Sequence, residues 1–183
     1  MQEHGDADGD GVVGWGHLAR RFAGALWPGG PSIEAETWAT SNLGEGEQRL
    51  WLRMSGPDRR HAVGVARRVE AALGASATRP VLAGALLHDV GKVVSGLGTL
   101  SRVAATLSAL AAGREMAEVW SERRGFTRRV GLYLRHDTLG GDLLAMAQAD
   151  PLTEAWAREH HLTPEHWTLD PLLAKALKAA DDD

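Results

Sequence analysis

Residues 81–92 read Val81-Leu82-Ala83-Gly84-Ala85-Leu86-Leu87-His88-Asp89-Val90-Gly91-Lys92, an apolar run that ends in a histidine and an aspartate. Leucine and alanine are strong helix formers, and glycine commonly follows the end of a helix, so we predict a buried helix from about Pro80 to Val90. A carboxylate at the buried end of an apolar helix is costly unless a cation or hydrogen bonds compensate its charge. The stretch therefore predicts a helical core with a cation beside Asp89.

The composition favours an all-α fold. The 183 residues are 44% hydrophobic and 24% charged, which suits one globular domain with one core. Alanine and leucine supply most of the apolar residues, whereas isoleucine and tyrosine, which favour strands, occur once each. The apolar runs are far shorter than the roughly 20 residues that span a bilayer, so we expect no membrane segment.

Cysteine content and charge restrict the function. The chain has no cysteine, which excludes disulfides, zinc–thiolate sites and a thiol nucleophile, so any metal must be held by histidine and carboxylate. The formal net charge of -4 gives no overall reason to expect a nucleic acid or an anionic membrane as a partner. The acidic, glycine-rich start lacks the features of a secretory signal, so we expect a cytoplasmic protein.

The chain divides into three predicted parts. Residues 1–14 are mostly glycine, aspartate and small residues, and we predict a flexible acidic leader. Residues 15–44 form an N-terminal helical extension, and residues 45–183 form the main helical domain. Apolar periodicity, together with aspartate caps before Pro151 and Pro171, predicts the helices Trp15–Leu26, Ile33–Leu43, Glu45–Met54, Asp58–Leu73, Pro80–Val90, Thr99–Ala112, Phe126–Arg135, Leu139–Ala149, Pro151–His160 and Pro171–Asp181.

The leader carries half of a calcium-binding motif. Asp6, Asp8 and Asp10 stand at the first, third and fifth positions of an EF-hand loop, with Gly11 at the sixth. The twelfth position is His17 instead of the bidentate glutamate, and we predict no helix before the loop. We therefore expect little calcium affinity.

Histidines and aspartates recur on the apolar faces of the predicted helices. His61 precedes Val65 and Val69 at intervals of four, so it continues the inward face of its helix. Imidazoles and carboxylates without thiols form a ligand set that suits Mn, Fe, Co, Ni or Zn with open positions for water. The candidate ligands are His61, His88, Asp89, His136, His160, His161 and Asp181.

The isolated His61, the string Ala85–Lys92 with its HDVGK end, and a late aspartate resemble the HD superfamily of metal-dependent phosphohydrolases. The order His, His-Asp, His, His-His, Asp is similar to that of the HD-GYP phosphodiesterases. The resemblance implies a helical HD domain over residues 45–183 and two divalent transition-metal ions bridged by Asp89. One metal would take His61, His88 and Asp181, and the other His136, His160 and His161.

The resemblance also implies the chemistry. A metal-activated hydroxide would attack the phosphorus of a nucleotide-type phosphate ester, Asp89 would orient it, and Lys92 would contact a substrate phosphate. Apart from the resemblance, the forked geometry of a guanidinium group suggests that Arg59 or Arg60, directly before His61, would stabilise charge on that phosphate. We therefore expect a metal-dependent phosphohydrolase or phosphodiesterase whose partner is a small phosphate ester and not a nucleic acid.

Three points stay open in the sequence. No glutamate follows His161 and Gly-Tyr-Pro is absent, so specificity for a cyclic dinucleotide is not implied. Asp150 competes with Asp181 as the last ligand, although its capping position favours Asp181. A regular helix cannot direct His160 and His161 the same way, so either one of them lies outside the metal shell or the helix unwinds there.

Other readings compete with hydrolysis. A non-catalytic HD module would use the ligands structurally or bind a nucleotide as a signal, with its first two helices docking a partner. Tryptophan is typical of such docking surfaces, and burial against the domain is the other explanation for Trp15, Trp27, Trp38 and Trp51. An HD-fold oxygenase would hold two irons. The arginines between residues 123 and 135 would either gather a polyphosphate or nucleic-acid backbone or form a solvated face.

Overall fold

The computed structural model describes residues 29–98, 101–102, 105 and 116–182. Within these residues every regular element is helical, so the predicted all-α class is confirmed. The helices are α1 Ile33–Ser41, α2 Glu45–Trp51, α3 Gly56–Leu73, α4 Arg79–Leu87, α5 Lys92–Ser95, α6 Met116–Ser121, α7 Gly125–Leu134, α8 His136–Met146, α9 Pro151–Glu159 and α10 Pro171–Asp182. Two 3-10 turns cover Gly74–Ser76 and Pro164–His166.

Some predictions fall on other parts of the chain. The acidic leader, its calcium-like motif and the helix Trp15–Leu26 lie outside the described residues, as does most of the helix Thr99–Ala112. None of the described helices combines the length and the apolar character that a membrane crossing requires.

Helix α4 forms the centre of the core. All seven residues from Val81 to Leu87 are buried. This helix packs against both α3 and α9, while α10 packs against α3 and α8 against α9. A helix buried on all sides needs no polar face, which explains why the sequence of α4 shows an unbroken apolar run.

The N-terminal tryptophans that the structure describes belong to this core. Trp51 is fully buried, and its indole Nε1 donates to Glu36 Oε1 over 2.8 Å. Trp38 is half-buried against the core, with the Arg67 guanidinium 3.6 Å from its ring centroid. Burial therefore accounts for these two side chains.

Side-chain caps fix several helix starts. Asp150 Oδ1 accepts a hydrogen bond from Leu152 N at 2.9 Å, and Asp170 Oδ1 accepts one from Leu172 N at 2.8 Å, so both predicted aspartate caps are confirmed. Helix α3 begins at Gly56, two residues before the predicted start, because Ser55 is its N-cap. Pro57 lies in the first turn, where its missing N–H costs nothing.

The predicted helix bounds around the histidines were wrong in two places. Helix α4 ends at Leu87 instead of Val90, and residues 88–91 form turns in which Val90 N donates to Leu87 O and Lys92 N to Asp89 O, both over 3.0 Å. Helix α8 begins at His136, three residues early, whereas the end of α9 at Glu159 with His160 as its C-cap agrees with the predicted end. Helix α6 was not predicted at all.

Gly91 allows the turn after α4 to touch the first turn of α8. A Cβ atom at this position would lie 1.9 Å from His136 O and 2.6 Å from Gly140 N. These are backbone atoms, so a side chain at residue 91 would force the turn and the helix apart. The glycine thus places Asp89 beside His136.

We predict that Gly91→Ala lowers the free energy of unfolding by at least about 2 kcal/mol, because the methyl group displaces packed backbone. Chemical denaturation monitored by circular dichroism measures this change. Gly98→Ala is the matched control, since a Cβ there meets no atom within 4 Å. Equal stabilities of the two variants would contradict the close packing at Gly91.

Candidate metal centre

Seven side chains from five parts of the fold meet in one cluster. His61 comes from α3, Asp181 from the last turn of α10, and His136 from the first residue of α8. His88 and Asp89 lie directly after α4, and His160 and His161 directly after α9. The structure brings together every predicted ligand, and these distribute over two groups that share Asp89.

The first group contains His61, His88 and Asp181. Asp181 Oδ1 lies 3.0 Å from His61 Nε2 and 3.4 Å from His88 Nε2. The three ligand atoms are all within 4.8 Å of one another. One ion at their centre would be within reach of all three.

The second group contains His136, His160 and His161. His161 Nε2 lies 3.1 Å from His136 Nε2, and the three ligand nitrogens are again within 4.8 Å of one another. His136 and His160 are buried, whereas His161 is exposed. His160 is the C-cap of α9 and keeps α-helical backbone angles, and His161 follows in the turn after it.

Asp89 lies between the two groups. Its Oδ2 is 3.4 Å from His88 Nε2 of the first group. Its Oδ1 is 3.3 Å from His136 Nε2 and 3.9 Å from His160 Nε2 of the second. Each carboxylate oxygen therefore faces a different group, which is the arrangement of a carboxylate that bridges two cations.

Backbone carbonyls fix the tautomers of three histidines. Each ring donates its Nδ1 hydrogen to the carbonyl three residues earlier, which leaves Nε2 to face the cluster: His88 to Ala85 (2.9 Å), His136 to Tyr133 (2.7 Å) and His160 to Ala157 (2.9 Å). His88 Nε2 and His160 Nε2 are buried and make no hydrogen bond. Buried nitrogens without partners are costly unless something binds them.

Burial and neighbouring charges shift the pKa values of four side chains in the cluster. Burial alone would lower the pKa of His88, but the charges of Asp89 and Asp181 outweigh it and raise that pKa to about 10. Burial would raise the pKa of Asp89, yet Lys92 and His88 hold it well below its ordinary value. The pKa of Asp181 is likewise held far below its ordinary value by His61 and His88 against the effect of burial. Burial lowers the pKa of His160.

Three cationic side chains are expected to contact a substrate phosphate, and each of them donates a hydrogen bond within the protein. Lys92 Nζ donates to Asp89 Oδ2, the oxygen that faces the first group. Arg59 Nη1 donates to Glu36 Oε1 over 2.6 Å, and Arg60 donates to the Gly29 carbonyl. The two arginines thus hold α3 to the preceding chain.

Of the two aspartates considered as the last ligand, the structure places Asp181 and not Asp150 beside the histidines. Asp150 is exposed, caps α9 and belongs to neither ligand group, whereas Asp181 belongs to the first. Asp181 is also supported by a residue that the sequence argument missed, since Arg68 Nε donates to the Ala180 carbonyl over 2.9 Å. Arg68 lies seven residues after His61 and hence on the same face of α3, which was the available signal.

A second supporting residue fixes the chain after α9. The buried Glu159 accepts from Thr168 N over 2.8 Å and from Thr168 Oγ1 over 2.6 Å. These bonds close the loop that carries His160 and His161. The available signal for this role was a glutamate at the end of a predicted helix, directly before two histidines. Helical periodicity alone does not identify such a residue.

Comparison of the chain with protein-family models, with curated proteins and with solved structures gave no match.

The coupled pKa values predict how the stability of chelator-treated protein depends on pH. The raised pKa of His88 contributes stability that is complete below its ordinary value of 6.5 and lost as the pH rises towards 10. The lowered pKa values of His160, Asp89 and Asp181 contribute stability that is lost as the pH falls. We therefore expect the melting temperature to be highest near pH 6.5 and to decrease in both directions.

Differential scanning calorimetry in excess chelator measures this profile. His88→Gln should abolish the decrease on the alkaline side and leave the acidic side in place. A melting temperature that rises steadily from pH 7 to pH 10 in the parent would contradict the ion pairing around His88.

Proposed function

We propose that this chain is a metal-dependent phosphohydrolase with a two-metal centre of the HD type. The observation that carries the proposal is Asp89, whose two oxygens face two separate groups of three ligand side chains. His61, His88 and Asp181 would hold one ion, and His136, His160 and His161 the other. The donor set of imidazoles and carboxylates suits Mn, Fe, Co, Ni or Zn.

The ends of the helices add a second reason to expect cations. Helices α4, α9 and α10 all end at the cluster, and the Tyr133 carbonyl near the end of α7 accepts from His136 Nδ1. Helix C-termini carry partial negative charge and favour a nearby cation. A carboxylate such as Asp181 at such an end is unfavourable by itself, and a bound cation offsets that cost.

The chemistry of the centre follows from these charges. Bound metals supply Lewis acidity and a water of lowered pKa to a phosphate ester. In hydrolysis the water oxygen bonds to phosphorus, the bond from phosphorus to the leaving oxygen breaks, and that oxygen takes up a proton. The hydrogen bonds from Nδ1 keep the rings of His88, His136 and His160 in fixed positions throughout.

The exposure of the side chains around the cluster favours one side for substrate entry. The apolar α4 packs behind His88 and Asp89, whereas the His61 side chain is 33% exposed and His161 is exposed. Substrate would therefore approach from the side of His61 and His161. Lys92, whose side chain is 19% exposed, would turn from Asp89 to a phosphate oxygen there. A nucleotide-type phosphate ester fits this cationic, partly open site.

Metal content tests the two-group arrangement. We expect parent protein purified without chelator to carry two equivalents of metal per chain and His136→Ala to carry one, because only the second group loses a ligand. Plasma emission spectroscopy measures the metal, and Asp150→Ala is the control that should keep two equivalents despite its weakened helix cap. One equivalent in the parent, unchanged in His136→Ala, would contradict the two-metal centre.

Hydrolysis of bis(p-nitrophenyl) phosphate with added Mn²⁺ tests the reaction. Asp89→Asn should lower turnover by at least about 10²-fold, because it weakens charge stabilisation in both groups. Asp170→Asn, a change of the same kind at an exposed cap, should leave turnover intact. Metal-loaded parent without any turnover would favour a non-catalytic binding module. An oxygen-sensitive di-iron chromophore in the absence of hydrolysis would favour an oxygenase.

A further inference from the structure

The corner between α6 and α7 exposes an aromatic ring among arginines. Phe126 is 55% exposed, although most large apolar side chains of the described residues are buried. Arg123, Arg124 and Arg128 are exposed around it in the sequence Arg-Arg-Gly-Phe-Thr-Arg. We call these four side chains the arginine–phenylalanine patch.

The charges of the patch are available to a ligand. Among the residues that the structure describes, Arg123, Arg124 and Arg128 form no ion pair, and Glu122 is the single acidic residue between 122 and 129. The neighbouring arginines differ, because Arg129 donates to Ser95 O over 3.0 Å and Arg135 to Ser121 Oγ over 3.1 Å. The predicted arginine-rich stretch thus contains two structural arginines and three that face solvent.

Helix α7 connects the patch to the candidate metal centre. The patch lies at the start of this helix, and Tyr133 near its end accepts the hydrogen bond from His136. Ten helical residues span about 15 Å at 1.5 Å per residue. A stacked single strand rises about 3.4 Å per nucleotide along its axis, so about four nucleotides cover this length.

We propose that the arginine–phenylalanine patch binds the distal part of a single-stranded oligonucleotide whose scissile phosphate lies at the metal centre. Guanidinium groups bind backbone phosphates, and an exposed aromatic ring stacks on a base of any sequence. The proposal rests on the proposed phosphohydrolase function and names its substrate class. The net charge of -4 gave no overall reason to expect a nucleic acid. A bound strand would contact the patch, so the positive charge of its three arginines matters more for binding than the net charge of the chain.

Binding of a fluorescein-labelled octanucleotide, measured by anisotropy on the full chain, tests the patch. The parent should show a slope of log K against log salt of about -2, the value for three phosphate contacts on a single strand. Arg124→Glu/Arg128→Glu should weaken binding at least tenfold and flatten the slope. Phe126→Ala should weaken binding about fivefold or more at an unchanged slope, because it removes stacking and no charge.

Two variants elsewhere on the surface serve as matched controls. Arg49→Glu/Arg53→Glu makes the same charge change at the same spacing on the exposed side of α2 and its end. Leu172→Ala removes an apolar side chain that is 75% exposed on α10. Both should bind the octanucleotide like the parent. Loss of binding in the arginine control equal to that in the patch variant would overturn the proposal.

A comparison of a long and a short oligonucleotide distinguishes failure of the patch proposal from failure of the proposed phosphohydrolase function. In Mn²⁺-loaded protein, Arg124→Glu/Arg128→Glu should raise KM for the octanucleotide at least tenfold and leave dinucleotide turnover and metal content unchanged, since a dinucleotide is too short to reach the patch. Equal effects on both lengths, or none on either, would overturn the patch. A parent that hydrolyses neither strand would contradict the proposed function itself. Binding of phosphatidylglycerol vesicles in place of the octanucleotide would assign the patch to membranes and overturn the proposal.

Discussion

The carboxylate of Asp89 is buried between imidazoles, and the rest of the site is arranged so that its charge is compensated. Lys92 and His88 do this in the protein alone, and both interactions hold the pKa of Asp89 well below its ordinary value. Each interaction uses Oδ2, whereas Oδ1 faces His136 and His160. A buried charge with partners on both sides ties the turn after α4 to every helix that supplies a partner.

Sequence reasoning found the candidate ligands because several of them continue apolar faces. His61 shares a face of α3 with buried Val65 and Val69, and the unbroken apolar run of α4 leads directly to His88 and Asp89. These are local signals, readable at helical spacing. The all-α class and the two aspartate caps are also predictable from local information. Composition decides the class, and each cap is an aspartate side chain that accepts from an amide two residues later.

The ends of the helices depend on contacts distant in sequence, so the sequence could not provide them. The turn at residues 88–91 requires Gly91 to lie against His136 and Gly140, and these lie in another helix. The loop after α9 likewise depends on a later residue, since Thr168 N donates to Glu159 from nine residues along the chain. Periodicity predicts a helix face but not the tertiary contact that ends it.

Six of the seven candidate ligands stand at or directly after helix ends, whereas His61 lies within α3. Adjacent residues on a regular helix point about 100° apart, and the pairs His88–Asp89 and His160–His161 both stand where a helix ends. His88 and His160 are the C-caps of α4 and α9 and keep α-helical backbone angles, while Asp89 and His161 lie in the turns that follow. The same endings direct the negative ends of those helices towards it, so the geometry that gathers the ligands also creates the potential that favours cations. The same helix ends thus carry most of the candidate ligands and present the negative partial charge that favours a cation there.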